Sequence, residues 1–186
     1  MVHSVSEIHD LVCDVFGLDP VDKLPNEHSL SKLLSSYPPL VPKWGKIRLL
    51  LQCWLAEELV QGDLMQQSQQ VKEYLRLQLS EQKYESFWIL CLNTQNRLIH
   101  SQELFRGTLN QTAIYPREIV KLSLEHNAAS VILAHNHPSG LAEPSKADER
   151  LTKTLQKALS VVEVKVLDHF IVAGSHCLSF SEQGLM

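Results

Sequence analysis

At 186 residues with 44% apolar content the chain can bury a full core, which argues against a disordered protein. Seventeen Lys+Arg against 21 Asp+Glu, a formal charge of −4 and a pI near 6.1 leave out the basic footprint of a non-specific nucleic-acid binder. No run approaches the roughly 18 to 20 apolar residues of a membrane helix, and MVHSVSEIHD lacks the basic and apolar regions of a signal peptide, so a cytoplasmic protein with no membrane partner is expected.

In chain order, SVSEIHDLVCDVF sets Ser4 three residues before Glu7, a capping-box spacing, with Ile8, Leu11, Val12 and Val15 at helical intervals. SLSKLLSSY, KWGKIRLLLQCWLAEELV and QQSQQVKEYLRLQLSEQ read as further helices, parted by the breaker-rich DPVDKLPNEH, PPLVP and QGD. Residues 1–80 are therefore expected to form a small helical region. From residue 85 the period changes. ESFWILCLN reads as a buried strand, TQN as a turn and RLIHSQEL as the returning strand of a hairpin. YPREIVKLSLEHNA follows as a helix with Pro116 suited to its first turn. SVILA is a short buried strand, PSKADERLTKTLQKALS a helix opened by Ser145, and VKVLDHFIVAG with HCLSFS a second hairpin around AGS. Strands alternating with helices predict an α/β domain with a mixed sheet over 81–186. Cys13, Cys53, Cys91 and Cys177 form no Cys-x-x-Cys pair, so they read as reduced, mostly packed thiols.

The chemistry concentrates in HNHPSGLAEPSKAD, directly after SVILA. Side chains alternate along a strand, so His135 and His137 share one side while Asn136 points away. The Pro and Gly that follow fold the chain back, bringing Asp148 near the start of the next helix within reach as a third ligand. Two imidazoles and a carboxylate suit Zn²⁺, and three protein ligands leave one position open, as catalytic zinc requires. Such an ion lowers the pKa of bound water to about 7 and polarises a carbonyl. A lone His-x-His at a strand end is more often packing than a site, but the joint pattern with Pro, Gly, Ser and Asp favours the metal. Ser145, three residues before Asp148, is a helix cap and also a candidate oxyanion donor. A general base must come from elsewhere: Glu85 heads an apolar strand, and Glu103, Glu118 and Glu143 compete with it on spacing alone. Asp168 and His169 face opposite ways along their strand, so one of them can orient a ligating imidazole; both stay outside the catalytic set.

These residues carry a resemblance. ESFWILCLN, ELFRGTLNQTAIYPREIV, LEHNAASVILAHNHPSG, EPSKADERLT, VKVLDHFIVAG and SFSEQGLM together resemble the RadC family, within the JAB/MPN superfamily that bears the JAMM zinc motif. The resemblance implies a cytidine-deaminase-like α/β/α fold, zinc on His135, His137 and Asp148, Glu85 as acid and base, and Ser145 near the oxyanion. It implies a hydrolase that cleaves a peptide or isopeptide bond in an unidentified protein or peptide substrate. The alternative is the DNA repair or recombination accessory of the family's historical label, with a structural or vestigial zinc site. Residues 1–80 resemble a degenerate helix-hairpin-helix unit: PPLVPKWGK keeps one glycine and has three prolines without amide donors, so DNA binding is only weakly supported, through Lys43, Lys46 and Arg48.

Overall fold

The computed structural model describes residues 13–15, 17, 41–64, 68–107 and 114–186. Of the first expected helix only Cys13–Val15 fall among them, and these are helical; SLSKLLSSY lies outside the described residues. The chain divides into two compact units, Met1–Leu51 and Gln52–Met186.

Helix α1 spans Val41–Gln61 and α2 Ser68–Leu79. The first starts two residues earlier than its composition suggests, because Pro42 falls in the first turn, where no amide donor is needed and the fixed φ suits a helix. Lys43, Lys46 and Arg48 therefore lie on a helix. Both helices end where the breakers and turns resume, at Gln61 before Gly62 and at Leu79. Their buried positions, Leu55 and Leu59 on α1 and Val71, Tyr74, Leu75 and Leu79 on α2, recur at helical spacing.

The remaining elements are β1 (Glu85–Leu92), β2 (Leu98–Gly107), α3 (Pro116–Glu125), β3 (Ser130–Asn136), α4 (Lys146–Ser160), β4 (Lys165–Ala173) and β5 (His176–Ser179). The five strands form one mixed sheet in the order β2-β1-β3-β4-β5. Three pairings are antiparallel; β3 and β4 are parallel, and α4 makes the crossover between them. β1 and β3 sit inside the sheet with helices over both faces, which explains why ESFWILCL and SVILAHN read as near-continuous apolar runs: every residue of β3 is buried.

Alternation divides the core in two. Leu90, Leu92, Ile132, Ala134, Phe170 and Val172 meet Leu55, Leu59, Leu75 and Leu79 on one face. Phe87, Ile89, Val131 and Leu133 meet Ile119 and Leu122 of α3 and Leu155 and Leu159 of α4 on the other. The result is a three-layer α/β/α unit over Gln52–Met186. All four cysteines are free; Cys13 and Cys91 are buried, whereas Cys53 is exposed. Burial pushes the Cys91 thiol up to about 11, so it is a packed apolar group rather than a thiolate.

Candidate metal centre

The buried strand β3 delivers His135 and His137 to the rim of the sheet on the α4 side. Pairing with β1 ends at Phe87–His135, while His137 N–H still donates to the Val172 carbonyl at 2.8 Å, so the chain leaves β1 and stays with β4. Between them Asn136 turns the other way. Its Oδ1 accepts from Ser86 N–H at 2.8 Å and its Nδ2 donates to the Tyr84 carbonyl at 2.9 Å, so the amide serves β1 where the backbone of β3 no longer does.

α4 brings the carboxylate. Ser145 is its N-cap: the hydroxyl accepts from Asp148 N–H, and Asp148 Oδ2 takes hydrogen bonds from Ser145 N–H at 2.8 Å and Ser145 Oγ at 2.7 Å. This reciprocal box holds the carboxylate so that Oδ1 lies 3.4 Å from His135 Nε2 and Oδ2 3.7 Å from His137 Nε2. The two Nε2 atoms are 3.0 Å apart. Zinc bonds of about 2.0 to 2.1 Å in a tetrahedron separate donor atoms by about 3.3 Å, so the three groups already stand at ligand spacing. His137 Nδ1 donates to the Leu141 carbonyl at 2.8 Å, which leaves its Nε2 lone pair facing the centre. The donor set fits a borderline cation such as Zn²⁺.

His135 and Asp148 are fully buried, and His137 is largely so. Burial pushes the His135 imidazole down to about 4, with Asp148 opposing and His137 adding to the fall. The ring is therefore neutral at ordinary pH, which is the form that ligates a metal. Its Nδ1 lies 2.8 Å from Nε2 of His169 on β4, and His169 Nδ1 lies 2.6 Å from Thr152 Oγ1 on α4. Burial, reinforced by His135 and His137, holds His169 well below the usual histidine range. Asp168 faces the opposite side of β4, where it accepts from Ser179 Oγ and from the Ser181 and His169 amides; burial raises its pKa against those bonds. Of the Asp168–His169 pair, then, His169 is the one that reaches the His135 imidazole.

Glu85 opens β1. Continuing the β1–β3 register two residues past Phe87–His135 sets it level with His137, and alternation puts it on the same face as Phe87. It borders a hollow shared with Phe105, Arg106 and Gly107. Its competitors lie elsewhere: Glu103 pairs with Arg106 on β2, Glu118 pairs with Arg117 in the first turn of α3, and Glu143 is exposed in the loop before α4. Sequence reasoning missed Asn136 and Thr152. For Thr152 the signal was its position four residues after Asp148, one turn further along the same helix face. For Asn136 no local signal exists.

A three-layer α/β/α unit with a His-x-His at the end of its central strand and an aspartate in the first turn of the next helix defines a JAB-type domain. The family model described as the RadC-like JAB domain matches residues 65–185, and the chain belongs to that family. A UPF0758 protein of Nitrosomonas eutropha is 48% identical over 161 residues, covering 87% of this chain and 72% of that protein. The UPF0758 protein of Herminiimonas arsenicoxydans is 60% identical over 130 residues, and that of Thiobacillus denitrificans 57% over 130; each match covers 70% of this chain and 58% of the relative. The matched part thus spans between 58% and 72% of these relatives' lengths. Among the described residues no helix is long and apolar enough to cross a membrane.

Proposed function

We propose that this chain is a zinc-dependent hydrolase of the JAMM type, cleaving a peptide or isopeptide amide bond, with the ion held by His135, His137 and Asp148. The observation that carries this reading is the convergence of two imidazole Nε2 atoms and one carboxylate, all within 4.8 Å of one another, at a rim where β3 stops. When bound, zinc supplies a Lewis acid that polarises the scissile carbonyl and makes water acidic enough to attack near neutral pH. Glu85 takes the proton from the attacking water on its carboxylate and returns it to the leaving amine; its place two residues before Phe87, the partner of His135, supports the assignment. Ser145 fixes Asp148 through its N–H and its hydroxyl; as oxyanion donor the hydroxyl turns its one hydrogen from Asp148 Oδ2 to the substrate, and the Ser145 N–H alone stays on Oδ2.

Metal analysis and a peptidase assay on three proteins test the reading. The wild type should carry about one zinc per chain, and the double variant His135→Ala, His137→Ala should carry none. Glu85→Gln should keep the zinc and lose hydrolysis, because a base that is not a ligand can be removed without emptying the site. Stoichiometric zinc in the double variant would overturn the ligand assignment. Undiminished turnover by Glu85→Gln would move the base to another carboxylate.

A further inference from the structure

We propose that His169 and Thr152 are positioning residues for the metal centre, forming a proton-ordered relay that holds His135 with its hydrogen on Nδ1 and its Nε2 bare. The inference rests on the reading of His135, His137 and Asp148 as metal ligands, and it concerns what prepares them.

The proton inventory follows from the distances. The Thr152 hydroxyl has one hydrogen and two close neighbours, the Asp148 carbonyl at 2.7 Å and His169 Nδ1 at 2.6 Å. A carbonyl cannot donate, so the hydroxyl hydrogen lies toward Asp148 O, and the second contact is attractive only if His169 Nδ1 brings its own hydrogen. His169 is fully buried, with the ring of Phe87 set edgewise at 5.7 Å and that of Phe180 at 4.8 Å, surroundings that suit a neutral imidazole. A neutral ring with its hydrogen on Nδ1 has a bare Nε2. That atom stands 2.8 Å from His135 Nδ1, so the hydrogen between them belongs to His135. His135 Nε2 is left with a lone pair.

In its neutral form His137 has the same arrangement, its hydrogen held on Nδ1 by the Leu141 carbonyl. Two lone pairs therefore face each other across 3.0 Å, with Asp148 Oδ1 3.4 Å from the first. A cation bound between the two nitrogens would take both lone pairs. The relay also closes a ring through three elements, running from the Asp148 carbonyl on α4 through Thr152 to His169 on β4 and His135 on β3. The backbone of one ligand thereby sets the tautomer and ring angle of another. Ligating histidines ordinarily lean on a single carboxylate or carbonyl; here an imidazole and a hydroxyl stand between ring and carbonyl.

The test measures zinc affinity of the full chain by competition with a chromophoric chelator, together with the His135 tautomer by ¹⁵N NMR of the metal-free protein. Thr152→Val keeps the shape and removes the hydroxyl; it should weaken zinc binding about 10- to 100-fold and populate the His135 Nε2–H tautomer. Thr152→Ser should restore both. His169→Phe should weaken zinc binding similarly, and His169→Gln should recover most of it, since the amide offers an acceptor and a donor at nearly the spacing of the two ring nitrogens. Unchanged affinity in Thr152→Val, or a wild-type His135 with its hydrogen on Nε2, would overturn the relay. A wild type that binds no zinc while its His135 carries hydrogen on Nδ1 would overturn the functional reading and leave the relay standing.

Discussion

Asn136 separates two proposed ligands and belongs to neither. Its amide gives β1 an acceptor for Ser86 N–H and a donor for the Tyr84 carbonyl just where the β1–β3 ladder stops. Replacement by Ala strips both buried-side partners at once, and an unpaired backbone group costs about 1 to 3 kcal/mol. Asn136→Ala should therefore lower the urea midpoint by a matching amount without changing the slope, and weaken zinc binding because His135 and His137 flank the loosened strand end; an unmoved midpoint would show that water replaces the amide. The residue also marks where sequence reading stops. Strand alternation and the turn at Pro138 and Gly140 are local, so the approach of His135, His137 and Asp148 was legible from the stretch itself. The job of Asn136 depends on how β1 lies against β3, 50 residues away in the chain for the Ser86 contact, and no local pattern encodes that register.

At the scale of elements, α4 shows how a cap becomes part of a site. Ser145 satisfies the Asp148 amide as any N-cap would, but the N3 side chain that answers it is the proposed ligand itself. Ser145→Ala should cost about 1 kcal/mol of stability, as caps do. It should also raise the zinc dissociation constant, because Asp148 Oδ2 loses one of its two donors; a change in stability with no change in zinc affinity would reduce Ser145 to an ordinary cap. The pair Lys72–Glu182, with Glu182 half exposed, is a useful control because it lies outside the proposed site: Glu182→Gln should alter stability by about 1 kcal/mol or less. The elements themselves were largely readable. Pro116 at the first helical turn, Ser145 before α4 and the AGS turn between β4 and β5 all fall where turn and cap chemistry put them. β2 was read as ending at Leu104, yet it continues to Gly107, since Phe105, Arg106 and Gly107 pair with Phe87, Ser86 and Glu85. That extension is held by a partner strand rather than by its own composition.

Across the whole molecule, two buried neutral histidines tie stability to pH. His135 and His169 both titrate below the ~6.5 of an unfolded imidazole, so on acidification the unfolded chain takes up protons first. The contribution is complete above about pH 6.5 and is lost as the pH falls toward about 4, the value for His135, at up to ~1.4 kcal/mol per pH unit for each ring. Urea titrations of chelator-treated protein at a series of pH values should show this decline, and His169→Gln should make it shallower by about one proton. A midpoint independent of pH between 7 and 5, on the order of those reference values, would contradict the burial of both rings. The same site also has a history in folding. Ser145 and Asp148 lie three residues apart, and His137 and Asp148 are joined by one short loop, contacts of a range that chains close in about 10 to 100 ns. His135 and His169 are separated by 34 residues and cannot meet until β4 has docked in parallel beside β3. Local contacts thus join the proposed ligands and a distant pairing joins the residue proposed to orient one of them, so a chain caught before β4 docks is expected to hold the proposed ligands close together but not yet aimed.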